Sequence, residues 1–112
     1  MIVNVSSSAA TAGAPGEYVH YAAAKAGVDA LTIGLAKELA PVAVRVNAVS
    51  PGPTRTDIHA DAGEPDRLER VASRIPLGRV AEPEEVAAAV VWLLGPEAGY
   101  LSGANIRIAG GF

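Results

Sequence analysis

The 112-residue chain contains no cysteine, which excludes a disulfide scaffold, a thiolate metal site and a thiol nucleophile. Aromatic residues make up only 4% of it, so no core of large rings is available. Nine basic residues stand against 12 acidic ones, for a net charge of −3, and no Lys/Arg cluster occurs. That balance excludes a nucleic-acid surface, because neutralising phosphates needs concentrated positive charge. No apolar run approaches the ~20 residues that cross a bilayer. Met1-Ile2-Val3-Asn4 likewise lacks the basic leader of a signal peptide. The Gly-rich phosphate fingerprint of dinucleotide folds does not occur. His20 and His59 have no partners at metal-ligand or dyad spacing and read as surface residues. Asp57, Asp61, Glu64 and Asp66 lack the spacing of a calcium loop and read as a solvated face. The expectation is a cytoplasmic globular protein with no nucleic-acid or membrane partner. At this length it forms a single domain over residues 1–112.

Small apolar residues are plentiful. The chain is 50% hydrophobic, with 23 alanines and 12 glycines, a composition suited to helices packed closely on a sheet. Ile2–Val5 is short and β-branched and predicts a strand. Thr11 to Gly16 reads as a loop. Tyr18 to Ala40 predicts a helix with Ala24, Val28, Leu31, Leu35 and Leu39 as its apolar stripe, stopped by Pro41. Val42 to Val49 is almost continuously apolar, as in a strand covered on both faces. Ser50 to Thr54 breaks it. Thr56 to Pro65 reads as a loop or short helix, and Asp66 to Ile75 as a helix carrying Leu68, Val71, Ala72 and Ile75. Pro83 to Leu94 is the clearest helix: Glu82 can cap it, Pro83 suits its first turn, and Gly95-Pro96 ends it. Ala104 to Ile108 alternates as a last strand. Strands separated by helices imply parallel pairing through right-handed crossovers. The expected fold is therefore α/β: a partial doubly wound sheet of three parallel strands with flanking helices.

Several polar residues could carry chemistry. Tyr21 and Lys25 are four apart on the long helix and share a face. An ammonium beside a phenol favours the phenolate, which suits a general acid or base. Tyr18 has no comparable charged partner at that spacing and reads as loop or interface packing. Ser6, Ser7 and Ser8 follow the first strand, at the end where open α/β sheets place their ligand crevice. Ser50-Pro51-Gly52-Pro53-Thr54-Arg55-Thr56 lies at the same end of the next strand. There Gly52 permits close backbone approach and the threonines offer hydroxyls. Each pattern is common by itself.

Their order is not. Asn4-Val5-Ser6-Ser7, Tyr21-Ala22-Ala23-Ala24-Lys25-Ala26-Gly27-Val28, Val44 to Gly52, and Ser102-Gly103 to Gly110-Gly111 resemble the second half of short-chain dehydrogenases/reductases. The resemblance runs from Met1 to Phe112 and implies a Rossmann-like sheet. It further implies hydride transfer between NAD(P)(H) and a small-molecule alcohol/carbonyl pair, with the NAD or NADP preference undetermined. In that scheme Tyr21 is the general acid/base and Lys25 assists it and binds the nicotinamide ribose. Pro51, Gly52, Thr54 and Thr56 line the cofactor, together with Tyr21 and Lys25. The catalytic serine is Ser7 by count from Asn4, or Ser8 by count from Tyr21; Ser7 is chosen, with Ser8 the alternative. Asp57 to Ile75 matches the family's variable substrate loop.

Three upstream features of the family have no counterpart here: the Gly-rich turn, the residue that selects the cofactor phosphate, and an active-site asparagine. The chain is therefore expected to be the carboxyl half of such an enzyme, a homo-oligomer in its full-length form. It is also expected to expose an associating strand edge at Ile2–Val5. A non-catalytic assembly element is the alternative, and an unrelated small α/β module leaves the ordered motifs unexplained.

Overall fold

The computed structural model describes residues 1–112. In chain order these form β1 (Ile2–Val5), α1 (Ala9–Ala12), α2 (Val19–Leu39), β2 (Val46–Pro51), α3 (Ile58–Asp61), α4 (Arg67–Ala72), α5 (Pro83–Leu94) and β3 (Asn105–Ile108). The three strands make one sheet in the order β1-β2-β3. Both pairings are parallel, with Ile2 opposite Val46 and Ala48 opposite Asn105. The α/β fold expected from the alternation of strands and helices is the one observed. No helix is long and apolar enough to cross a membrane.

β2 is the centre of the sheet and is buried from Val46 to Ser50. It begins four residues later than expected and runs on into Pro51. The reason lies upstream: Ala40–Val42 tightens into a 3₁₀ turn around Pro41, and Ala43 leaves it at φ 57. Val42 is consequently exposed, and only beyond Arg45 can the chain pair on both sides.

The two sheet faces are covered differently. On one, Val49 packs against Leu93 and Ala98, with Val3, Val86, Val90 and Ile106 around them. This is the apolar core, formed mainly by α5 as its sequence indicates. Pro83 occupies the first turn of α5, and the Glu85 carboxylate accepts the Glu82 N–H at 2.9 Å. Arg45 closes the other end, donating to the carbonyls of Leu93 at 3.1 Å and Gly95 at 3.2 Å, where the helix dipole favours a cation.

α2 covers the opposite face, but not with the expected stripe. Leu31 is 53% exposed and Ala24 is also exposed, whereas Ala22, Thr32 and Ala36 are buried. Apolar residues surround this helix, so periodicity alone could not choose its inner side. Small side chains chose it: Ala36 sits against Gly103, and Thr32 accepts a hydrogen bond from the Asn4 amide at 2.9 Å. α1 also departs from expectation, forming a helical turn that runs into the first residues of the predicted loop and ends at Gly13, whose φ is 78.

Two details hold the ends of β2 and β3 in place. Asn47, 1% exposed, donates to the Leu101 carbonyl at 2.8 Å and accepts the Ala104 N–H at 3.0 Å. Gly52 donates to Ile108 at 2.9 Å, and a Cβ there would lie 2.9 Å from the Ala109 backbone. The smallness of Gly52 is thus already used in packing β2 against the segment after β3.

Candidate active site

The carboxyl ends of β1 and β2 lie side by side, joined beyond the ladder by the Ser8 N–H donating to the Pro51 carbonyl at 2.9 Å. Against this end stands the first part of α2. Lys25 reaches from the helix to the strand, its ammonium donating to the Val5 carbonyl at 2.9 Å. The same nitrogen is 5.7 Å from the centre of the Tyr21 ring. Tyr21 is half-buried, and its hydroxyl makes no hydrogen bond within the protein.

The serines divide into distinct roles. Ser6 is buried and donates to the Lys25 carbonyl at 3.2 Å, pinning α2 to the strand end. The Ser7 hydroxyl accepts the Ala9 N–H at 3.1 Å, so its own proton remains available to a ligand, and the residue is half-buried. Ser8 is 6% exposed and starts α1. Its carbonyl accepts from the Thr11 hydroxyl at 3.1 Å. Of the two residues Ser7 is the less buried.

Past β2, Thr54 donates to the Gly52 carbonyl at 2.9 Å and pairs with Ala81 in an isolated parallel bridge. Pro51, Gly52 and Thr54 cluster at the strand end, while Thr56 lies beyond them, exposed and without a hydrogen bond. A cavity of about 110 Å³ behind this turn is lined by Pro53, Ile75, Leu77, Ala81 and Ile108, among others. Its lining does not include Tyr21, Lys25 or Ser7.

Sequence spacing missed one cluster entirely. Tyr18, read as packing without a charged partner, donates its hydroxyl to the Glu64 carboxylate and lies under the Arg67 guanidinium, 5.0 Å from ring centre to carbon. Glu64 also accepts from Arg70, and Arg67 pairs with Glu17 at 2.6 Å. Glu64 is accordingly no part of a freely solvated acidic face. The hydrogen bond to Glu64 is the main cause raising the Tyr18 phenol above its usual pKa, with burial adding. The same bond, and after it the one from Arg70, lowers the Glu64 carboxyl. His59, read as a surface residue, is half-buried; burial first, then Arg67, lowers its pKa. The partners are 46 positions apart in the chain, so no local pattern could have revealed them.

A three-stranded parallel sheet flanked by helices is an α/β arrangement of the Rossmann-like class. The family model described as enoyl-(acyl carrier protein) reductase matches residues 1–112. The chain belongs to the short-chain dehydrogenase/reductase family. An uncharacterized oxidoreductase of Escherichia coli, YgfF, is 54% identical over 110 residues, covering 98% of this chain and 44% of that protein. A 3-oxoacyl-[acyl-carrier-protein] reductase of Thermotoga maritima is 48% identical, with the same two coverages. Among solved structures, an NADPH-bound short-chain oxidoreductase of Pseudomonas aeruginosa, described as having an atypical catalytic center, superposes with a TM-score of 0.85. It is 36% identical over 98% of this chain and 44% of its own. The chain thus spans under half the length of these relatives.

Proposed function

We propose that this chain takes part in hydride transfer between NAD(P)(H) and a small-molecule alcohol/carbonyl pair, with Tyr21 as general acid/base. The observation that carries the reading is the Lys25 ammonium, held by the Val5 carbonyl beside the Tyr21 ring at the ends of β1 and β2. One of its three N–H groups is committed to Val5, which leaves two for a ligand.

The dinucleotide, when bound, supplies or accepts the hydride. The residues that would hold its nicotinamide side are Tyr21, Lys25, Pro51, Gly52, Thr54 and Thr56. The chemistry of this donor set fits a ribose and a carboxamide, since it offers spare ammonium protons and threonine oxygens beside a stiff turn. Tyr21 gives a proton to the substrate oxygen as negative charge builds there, and takes it back in the reverse direction. The positive charge of Lys25 stabilises the phenolate that remains. Ser7 donates its free hydroxyl proton to the same substrate oxygen, where a fixed donor is worth most.

In this reading residues 1–112 supply the proton-transfer side of the reaction centre and work together with a dinucleotide-binding half. The assembled form is a homo-oligomer, a reading supported by the exposed Val19, Leu31 and Ile33 on α2 and by Val5 on the sheet edge. Those same apolar groups favour the second reading, an assembly element without catalysis of its own.

Fluorescence titration with NADH and NADPH, followed by an assay of cofactor oxidation with a 3-oxoacyl thioester or a simple ketone, separates the two readings. Tyr21→Phe should lower turnover by roughly 10²–10⁴, the usual worth of a positioned acid/base, with helicity unchanged. Unchanged turnover removes Tyr21 from the role, and absence of cofactor binding by the full protein favours the assembly reading.

A further inference from the structure

Residues 56–74 are fastened firmly at their ends and sparsely between. Before them, the Arg55 N–H donates to Ala81 at 2.9 Å and its guanidinium pairs with Glu82 at 3.0 Å. Towards and beyond their end, Val71 and Ile75 are buried and the Leu77 N–H donates to Gly110 at 3.1 Å. α3, by contrast, buries no side chain. Only two side chains of 56–74 make hydrogen bonds to the rest of the chain, and both reach the same place. Glu64 accepts from the Tyr18 hydroxyl, and Arg67 donates to Glu17 at 2.6 Å. The Arg67 side chain is only 17% exposed because it lies over the Tyr18 ring while pairing with Glu17 and Glu64. This anchor point is one helical turn before Tyr21: the Tyr18 carbonyl accepts the Ala22 N–H at 2.9 Å.

We infer that Tyr18 is a positioning residue, which with Glu64 and Arg67 straps the 56–74 segment beside Tyr21 and so sets one wall of the substrate's approach. The inference rests on the acid/base reading of Tyr21. Its physical basis is that residues 56–70, which bury no side chain, stay near α2 only as long as these few charge-assisted bonds hold them. Tyr18 suits the task because its ring carries Arg67 and its hydroxyl carries Glu64, so one side chain gathers both halves of the strap.

The test compares the full protein with Tyr18→Phe, which keeps the ring and removes only the hydroxyl, and with Glu64→Gln, which removes the charge at constant shape. Trypsin reads the strap directly, since Arg67, Arg70 and Arg74 lie in or next to α4. Each variant should be cut there about three- to fivefold faster, the scale of partly exposed polar pairs. The double variant should fall short of the product of the two single effects, because both act on the Tyr18–Glu64 bond. In the same variants KM for the carbonyl substrate should rise more than kcat falls, with an unaltered pH profile. Equal cleavage in parent and variants overturns the strap. Faster cleavage with unchanged KM overturns the positioning role. Failure of the underlying reading shows separately: Tyr21→Phe would then keep full turnover, and the positioning role would fall while the cleavage difference remained.

Discussion

The ammonium of Lys25 donates to the carbonyl of Val5 at 2.9 Å and so couples the first half of α2 to the last residue of β1. This single bond fixes where the charge stands relative to the Tyr21 ring. Lys25→Met removes the charge and the anchor together, and turnover should fall by roughly 10²–10⁴ while the helix content by circular dichroism is retained. Lys25→Arg keeps the charge but carries it on a planar fork of different reach, so activity should recover only in part. Full turnover in Lys25→Met would show that the pairing with Val5 is structural only.

Ser7 and Ser8 differ in burial and in the bond that the Ser7 hydroxyl accepts. Ser7 spends an acceptor on Ala9 and keeps its proton, whereas Ser8 is buried at the start of α1. Ser7→Ala is therefore expected to lower kcat by about 10²–10³, the cost of losing one donor to a developing oxyanion. Ser8→Ala should leave kcat close to the parent value, because its backbone bond to Pro51 survives. The reverse order of effects would transfer the role to Ser8.

The nearness of Tyr21 and Lys25 was legible because it follows local spacing: the two share a helix face whatever the tertiary structure does. α5 was legible down to its ends for a similar reason, since Pro83, Glu85 and Gly95-Pro96 act within one turn of themselves. α2 shows where that logic stops. Its buried side was selected by Asn4 and Gly103, which meet Thr32 and Ala36 only after the sheet has formed. The start of β2 failed for a local reason, the 3₁₀ turn around Pro41, which an apolar run conceals. The contacts of Tyr18 with Glu64 and Arg67 depend on the path of α3 and α4, which no periodicity encodes.

Asn47 is, with Ser50, one of two polar residues in the central strand, and its amide spans two backbone groups of the connection into β3. The Leu101 carbonyl keeps a second donor, the Arg45 guanidinium at 3.2 Å, whereas the Ala104 N–H has no other partner if the side chain is shortened. Asn47→Ala should cost about 1–3 kcal/mol, the penalty of the one group left unpaired. The urea midpoint should fall with an unchanged slope, which would locate the loss in the native state. A midpoint equal to that of the parent would mean that water replaces both bonds.

At the start of α5, the Glu85 carboxylate accepts from both terminal nitrogens of Arg79 at 2.7 Å and from the Glu82 N–H at 2.9 Å. The guanidinium bonds first, and the backbone N–H second, lower its pKa from the usual 4.5 to about 2. A carboxyl held below its unfolded value stabilises the folded state when ionised. The contribution is therefore complete above about pH 4.5 and is lost as the pH falls towards 2. Because the pair is exposed, salt should weaken it. Carboxyl chemical shifts followed against pH should give Glu85 a midpoint near 2 at low ionic strength. The midpoint should move up in high salt and further in Arg79→Met. Amide exchange at the start of α5 should quicken over the same acid range in the parent, and should be fast at all pH values in Glu85→Gln. A parent midpoint near 4.5 would show that the Arg79 fork does not form in solution.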